Sequence, residues 1–451
     1  MERDISQKQP QIVVSFLCAC LNAITSGSLY LFSLYGPQLG KELGYKQVQL
    51  SFVGATGNNG LYLMGPFAGW LIDKYGTRWT CLAAAICLIF GYTSMAFTFN
   101  HTFPNSSFIL MAIYYAFVGV GSNCSFFSAI NVTAKNFTNL RGTGLSGPIA
   151  FFGLSAFILS QLSKIFVDND GKLDVYKFLL FMGIAFGIGN LISTIWLRVI
   201  PSRELNRIYE EEEVVEETNA NEQTPLLTPA SAWSCIGDPS AWLLWSSFLC
   251  LAGTGLMVIN NIGTIIISLL EPKSPSSISA IKLQSFHVSL ISIASCFGRI
   301  LSGVASDYYK IRHETSRLVF WIIAGVLMLC SQLYTAFGLS LLGSTDKALS
   351  YLWILTVGTG YAYGAAFSLG PTITSESWGL RWFGMNWGVM SSAPAFGGLL
   401  MNLIFGFVYD FHVDEKRQCV GVDCFQAAFY VSSFISFVSI LLACILLVRT
   451  R

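Results

Sequence analysis

Long apolar runs alternate with short polar breaks along the whole chain. The runs lie near 12–37, 48–72, 79–99, 108–133, 142–166 and 176–199, and again near 241–270, 284–306, 318–341, 349–375, 384–410 and 426–448. Each approaches the roughly 20 residues that cross a bilayer core. Backbone amides and carbonyls have no water partner in hydrocarbon, so each run is predicted as an α-helix. Glycine and proline interrupt several runs, as in GNNGLYLMGPFAG and SSAPAFGG. Within a membrane such residues permit close helix contact and kinks. The pattern is six spans, a break, and six more. The break carries PSRELNRIYEEEEVVEETNANEQTPLLTP, acidic and nearly free of aromatics, and is predicted as a flexible linker. The layout is therefore a tail over 1–11, a bundle over 12–199, a linker over 200–240, a second bundle over 241–448 and a tail over 449–451.

Length alone, 451 residues, would suit two or three soluble domains. Composition excludes them: 53% of residues are hydrophobic and 11% charged, where soluble proteins carry about 25% charge. The net charge of +1 gives no field that would attract nucleic acid. The first run is too long and too punctuated for a cleaved signal, so it reads as a retained span. The twelve cysteines are scattered inside spans, where cysteine acts as a small apolar residue. Cys419 and Cys424 share one polar loop, either as a disulfide or as two thiols. No cysteine–histidine spacing suggests a metal, no cofactor is implied, and no nucleotide loop or nucleophile elbow suggests an enzyme.

Arginine sets the orientation. With both termini and the linker cytosolic, Arg3, Arg78, Arg141, Arg198, Arg203, Arg207, Arg299, Arg312, Arg317, Arg381, Arg449 and Arg451 fall on the cytosolic side and Arg417 opposite. Lysines such as Lys41, Lys46 and Lys172 run against this bias, so arginine carries it. The Cys419–Cys424 loop and the glycosylation sequons at Asn100 and Asn105 then face the other compartment, where the sequons serve as topology tests.

Two stretches recur at matching places in each half. GWLIDKYGTR (69–78) returns 234 residues later as GVASDYYKIR (303–312), sharing Gly, Asp and Arg. RGTGLSG (141–147) opens the fifth span, and RWFGMNWG (381–388) opens the eleventh. This resembles the major facilitator superfamily. Gly69, Leu71, Asp73, Lys74, Gly76 and Arg78 match the family signature, with Thr77 departing; Gly303, Asp307 and Arg312 keep part of it. The resemblance implies twelve transmembrane helices in two pseudo-symmetric bundles that rock to give alternating access. It also implies a cytosolic gate. Asp73 is expected at the start of the eleventh helix near Arg381, and Asp307 at the start of the fifth near Arg141. A carboxylate near a helix N-terminus is favoured by about 0.3–1 kcal/mol.

A finer resemblance is to monocarboxylate-transporter-like and nodulin-like members, most closely a fungal vacuolar-membrane group. EQTPLL, DPSAWLL (238–244), NNIGTI (260–265), GVASDYY and WGLRWFGMNWGVMSSAPAFGG (378–398) carry it. It implies a secondary transporter of a small organic solute, a monocarboxylate being one candidate, working as a monomer. The alternative is a non-transporting sensor or scaffold on the same fold. Arg299, four residues before Gly303, matches the carboxylate-pairing arginine of monocarboxylate carriers. Ser295 replaces the acid one turn earlier, and residues 11–40 lack the helix-1 lysine. Arg299 is thus either an anion contact or a structural gate residue. Asn22, Tyr30, Asn58, Asn59, Asn123, Asn260, Asn261, Tyr361 and Tyr363 are further candidates, either for cargo or for interhelical hydrogen bonds. His287 starts the eighth span, and Glu376 follows the tenth. Glu222, Leu226 and Leu227 form an acidic dileucine pattern that adaptor proteins read, pointing to a vacuolar or lysosome-like membrane.

Overall fold

Each predicted span is helical along most of its length in the computed structural model. The structure describes residues 2–45, 47–103, 106–166, 173–201, 207, 234–270, 277–341, 344–412 and 419–450. The sorting residues Glu222, Leu226 and Leu227, the sequon at Asn105, and Arg417 lie outside them. The chain divides into two compact units, Met1–Gly237 with Thr374–Ser392, and Asp238–Ile373 with Ala393–Arg451.

In the first unit the chain runs through α1 (Glu2–Ser26), a 3-10 turn (Gly27–Leu31) and α2 (Phe32–Glu42). It continues as α3 (Gln47–Leu63), α4 (Gly65–Tyr75), α5 (Thr77–Phe99), α6 (Phe108–Asn136), α7 (Arg141–Ser163) and α8 (Val175–Trp196). The helix starts follow local chemistry. Ser107 accepts the Ile109 amide at 3.3 Å ahead of α6, and Asp174 accepts the Lys177 amide at 3.1 Å ahead of α8. Each side chain satisfies a donor that the first turn leaves open. The second span breaks at Met64, where Pro66 brings no N–H to the helix. α5 packs on α6 and α8, α3 on α6, and α1 on α6, α7 and α8.

The second unit runs through α9 (Pro239–Leu269), α10 (Ser277–His313), α11 (Arg317–Leu333) and α12 (Trp353–Ser377). After α13 (Phe383–Met390), which belongs to the first unit, it resumes as α14 (Ala393–Phe411) and α15 (Asp423–Arg449). Asp238 accepts the Ser240 amide at 2.8 Å, with Pro239 at the first position of α9. α9 packs on α14 and α15, and α11 on α15. Met257, Ile262, Ile266, Met401, Phe405 and Phe429 share one buried cluster. Cys419 and Cys424 form a disulfide, and the Gly421 amide donates to the Ser268 carbonyl at 2.7 Å, tying that loop to the end of α9.

Among the described residues, ten helical stretches are long and apolar enough to cross a bilayer. The two further expected spans are also helical but differ in physical character. The second is split into α3 and α4 at Met64, and α12 is rich in Gly, Ser, Thr and Tyr. Helices of that composition need protein or water on part of their surface.

Candidate functional site

The signature stretch closes on the short helix α13. The Asp73 side chain is fully buried. It accepts the Gly384 amide at 3.3 Å and the Met385 amide at 2.8 Å, the first two free donors inside α13. Trp382, at the N-cap of α13, offers no side-chain cap. Asp73 therefore supplies from α4 the acceptor that a capping residue usually supplies locally. Two side chains of α6 support the carboxylate: Asn131 Nδ2 donates at 3.3 Å and Lys135 Nζ lies 3.9 Å away. Neither stood out in the sequence, because their position depends on how α6 packs.

Close backbone approach makes this contact possible. A methyl group on Gly69 would overlap the Gly384 carbonyl, and one on Gly384 would lie 2.5 Å from the Ile72 side chain. Gly76 has a φ of 85°, which lets α4 end and α5 begin within one residue. Gly69→Ala is therefore expected to force α4 and α13 apart. Overpacking of this kind costs about 1–3 kcal/mol. Hydrogen exchange at the Met385 amide should accelerate by roughly 5- to 150-fold, at about 1.4 kcal/mol per tenfold. Unchanged protection would show that the Asp73 contact does not depend on that approach.

The other signature residues occupy varied settings. Lys74 Nζ sits over the Trp70 and Tyr75 rings at 5.0 and 5.3 Å, and Arg78 is exposed. Arg141 Nη1 donates to the Ser375 carbonyl at 3.1 Å, joining the start of α7 to the last turn of α12, which from Thr374 onward belongs to the same unit as α7. Arg381 is half-buried just before α13. In the second copy, Asp307 meets Arg317 of α11 at 2.6 Å, and both are buried. Arg317 Nη1 also donates to Ser306 Oγ at 2.7 Å, and Ser306 donates to the Gly303 carbonyl at 2.9 Å. Arg317 is a partner the repeat did not reveal, since the first copy has no arginine at the matching place. Arg312 is exposed in the last turn of α10.

The candidate polar residues separate by their surroundings. Asn22 is wholly buried: Oδ1 accepts from Ser193 Oγ at 2.7 Å and Nδ2 donates to Cys81 Sγ at 3.7 Å. Thr25, Ser125 and Asn190 extend this network through α1, α6 and α8. Such bonds within membranes contribute about 0.6 kcal/mol each, so the geometry is that of a joint between helices. Asn123 Nδ2 donates to the Leu61 carbonyl beside the α3–α4 break. Asn261 Nδ2 donates to Asn402 Oδ1 at 2.7 Å, linking α9 to α14. Asn58, Asn59, Tyr30 and Asn260 are exposed, and Tyr361 is half-buried. The Tyr30 and Tyr62 hydroxyls lie 3.3 Å apart. Tyr363 lies beside Phe367, with ring centroids 4.7 Å apart and the planes tilted by 44°. His287 is buried with Nδ1 3.4 Å from Thr356 Oγ1, and Glu376 is half-buried.

Arg299 is the charged side chain that α10 carries into its apolar stretch. It lies near the centre of the membrane-length segment Phe286–His313 and is 3% exposed. Its guanidinium carbon is 6.0 Å from the Phe367 ring of α12. Phe367 in turn packs edge-on to Phe248 of α9, at 5.1 Å. The setting is a buried arginine beside the Phe367 ring, in one unit, and a guanidinium can hold a planar anion by two parallel hydrogen bonds.

Comparison with known proteins fits this architecture. Residues 15–333 match the Major Facilitator Superfamily, and residues 237–451 match the NFD4 C-terminal domain. A probable transporter, mch1, of Emericella nidulans is 28% identical over 94% of this chain and 84% of its own length. The probable transporter MCH1 of Saccharomyces cerevisiae is 25% identical over 96% of this chain and 92% of its own. Among solved structures, the proton:xylose symporter XylE superposes with a TM-score of 0.71 at 12% identity, covering 96% of this chain and 95% of that one. The fucose:proton symporter FucP gives 0.63 at 13% identity, covering 97% and 99%. The chain belongs to the Major Facilitator Superfamily and is a multi-pass membrane transporter, not an enzyme, with the all-helical fold of that family.

Proposed function

We propose that this protein is a secondary transporter moving a small organic monocarboxylate across an endomembrane by alternating access. Arg299 carries the reading. An arginine at the centre of a membrane helix costs about 2.5–3.5 kcal/mol on insertion scales, and such residues mark substrate paths by default. Its place beside the Phe367 ring and 3% exposure favour a partner that is itself planar and anionic. Its central depth in Phe286–His313 weighs against a role confined to the cytosolic gate. Asp73, docked on the first amides of α13, is the element that must let go in each cycle. Its hydrogen bonds to main-chain donors are strong enough to hold and weak enough to break, as gating requires.

The test is uptake into proteoliposomes. Saturable entry of short monocarboxylates, with no saturable entry of neutral analogues, is expected. Binding without flux would point to a sensor. The acidic dileucine pattern Glu222, Leu226 and Leu227 supports an endomembrane address. Changing both leucines to alanine should move a fluorescent fusion to the cell surface, and an unmoved fusion would remove that support.

A further inference from the structure

The second span presents two faces of opposite character. Gly60 of α3 and Gly119 of α6 lie against each other, where a side chain on either would collide with backbone, and a side chain on Gly57 would meet the Tyr115 ring of α6. Asn58 and Tyr62, one turn apart on α3, share a different face. Asn58 is exposed and Tyr62 half-buried, and both sit close to the midpoint of the helical stretch Gln47–Tyr75. A carboxamide at that depth is poorly placed against lipid tails, because nothing there can hydrogen-bond it. This face therefore meets water or solute.

A third group joins it. The Tyr30 hydroxyl is 3.3 Å from that of Tyr62. The Tyr30 ring is braced edge-on by Phe152 at 5.6 Å, and Phe152 stacks on Phe126 at 4.4 Å. Phe126 and Phe152 are buried, so the Tyr30 phenol is held by a fixed aromatic floor. The three groups are uncharged, and each can both donate and accept hydrogen bonds. From residue 43 to residue 167 the sequence holds a single carboxylate, Asp73, which is committed to α13. Such a face does not suit a cationic group, and it lacks the positive charge that would draw a carboxylate. A solute hydroxyl, itself donor and acceptor, matches it.

We propose that Tyr30, Asn58 and Tyr62 form a hydroxyl-recognition subsite within the first unit, so that the transported solute carries a hydroxyl group. This rests on the carboxylate reading above. The experiment compares glycerate, which carries two hydroxyls, with propionate, which carries none, in proteoliposomes holding the full chain. Wild-type protein should take up glycerate with the lower KM. Tyr62→Phe and Asn58→Ala should each raise the glycerate KM about tenfold and leave the propionate KM unchanged. Tyr30→Phe, which keeps the ring on Phe152, should act like Tyr62→Phe; it controls against loss of folding. Equal effects on both solutes, or a wild-type preference for propionate, would overturn the subsite while leaving carboxylate transport standing. Saturable flux of neither solute would overturn the carboxylate reading and this inference with it.

Discussion

Arg317→Met is expected to destabilise the protein by about 3–5 kcal/mol, the range for removing one partner of a buried ion pair. Asp307 and Arg317 are 2% and 4% exposed, and their charged atoms meet at 2.6 Å. Removing the guanidinium leaves a buried carboxylate without its counter-charge, and Ser306 loses the donor that reaches it at 2.7 Å. The deficit belongs to the stranded charge and not to the loss of an attractive pair. Replacing both residues, as Arg317→Met with Asp307→Leu, should therefore recover most of the stability. Thermal melting in detergent, followed by tryptophan fluorescence, distinguishes the cases. A double variant no better than the single one would mean that the pair fixes the α10–α11 geometry in a way apolar packing does not replace.

Arg299→Gln is expected to lower carboxylate uptake by roughly 25- to 4,000-fold. Losing a desolvated, charge-assisted contact costs about 2–5 kcal/mol, and each 1.4 kcal/mol is about tenfold. Arg299→Lys should fall in between, since it keeps the charge and loses the planar fork. Folding should not suffer in parallel. Arg299 lies against the Phe367 ring, and a neutral amide there spares the cost of burying a cation. Transport and melting therefore separate the two roles open to this residue. An anion contact loses flux and keeps stability; a structural gate residue loses both. Wild-type flux from Arg299→Gln would sink the carboxylate proposal.

Helix order was legible, and ten spans stand out by hydrophobic length alone among the described residues, because that length is a one-dimensional property. The second and tenth spans are polar or broken enough that length does not mark them. The signature was equally legible: Gly69, Asp73 and Gly76 declare a close approach, an anion and a tight turn in ten residues. The partners of those residues were not. Asn131 and Lys135 reach Asp73 from α6, and Arg317 reaches Asp307 from the next helix. Their sequence neighbourhoods resemble any polar helix end. The asparagines show the same limit. Asn22, Asn58 and Asn261 look alike in the sequence, yet one is enclosed by Ser193 and Cys81, one is exposed, and one is paired with Asn402. Tyr62 escaped notice altogether, for its interest arises from a hydroxyl on Tyr30 far away in the chain.

By itself the sequence determined that this chain lives in a bilayer, crosses it as helices and carries a duplicated signature, because these follow from run length, residue chemistry and repetition. Only the tertiary structure decided which polar groups are joints and which stand open, and which cation answers which buried acid. A side chain's role in a membrane depends on what covers it, and cover is supplied by other helices.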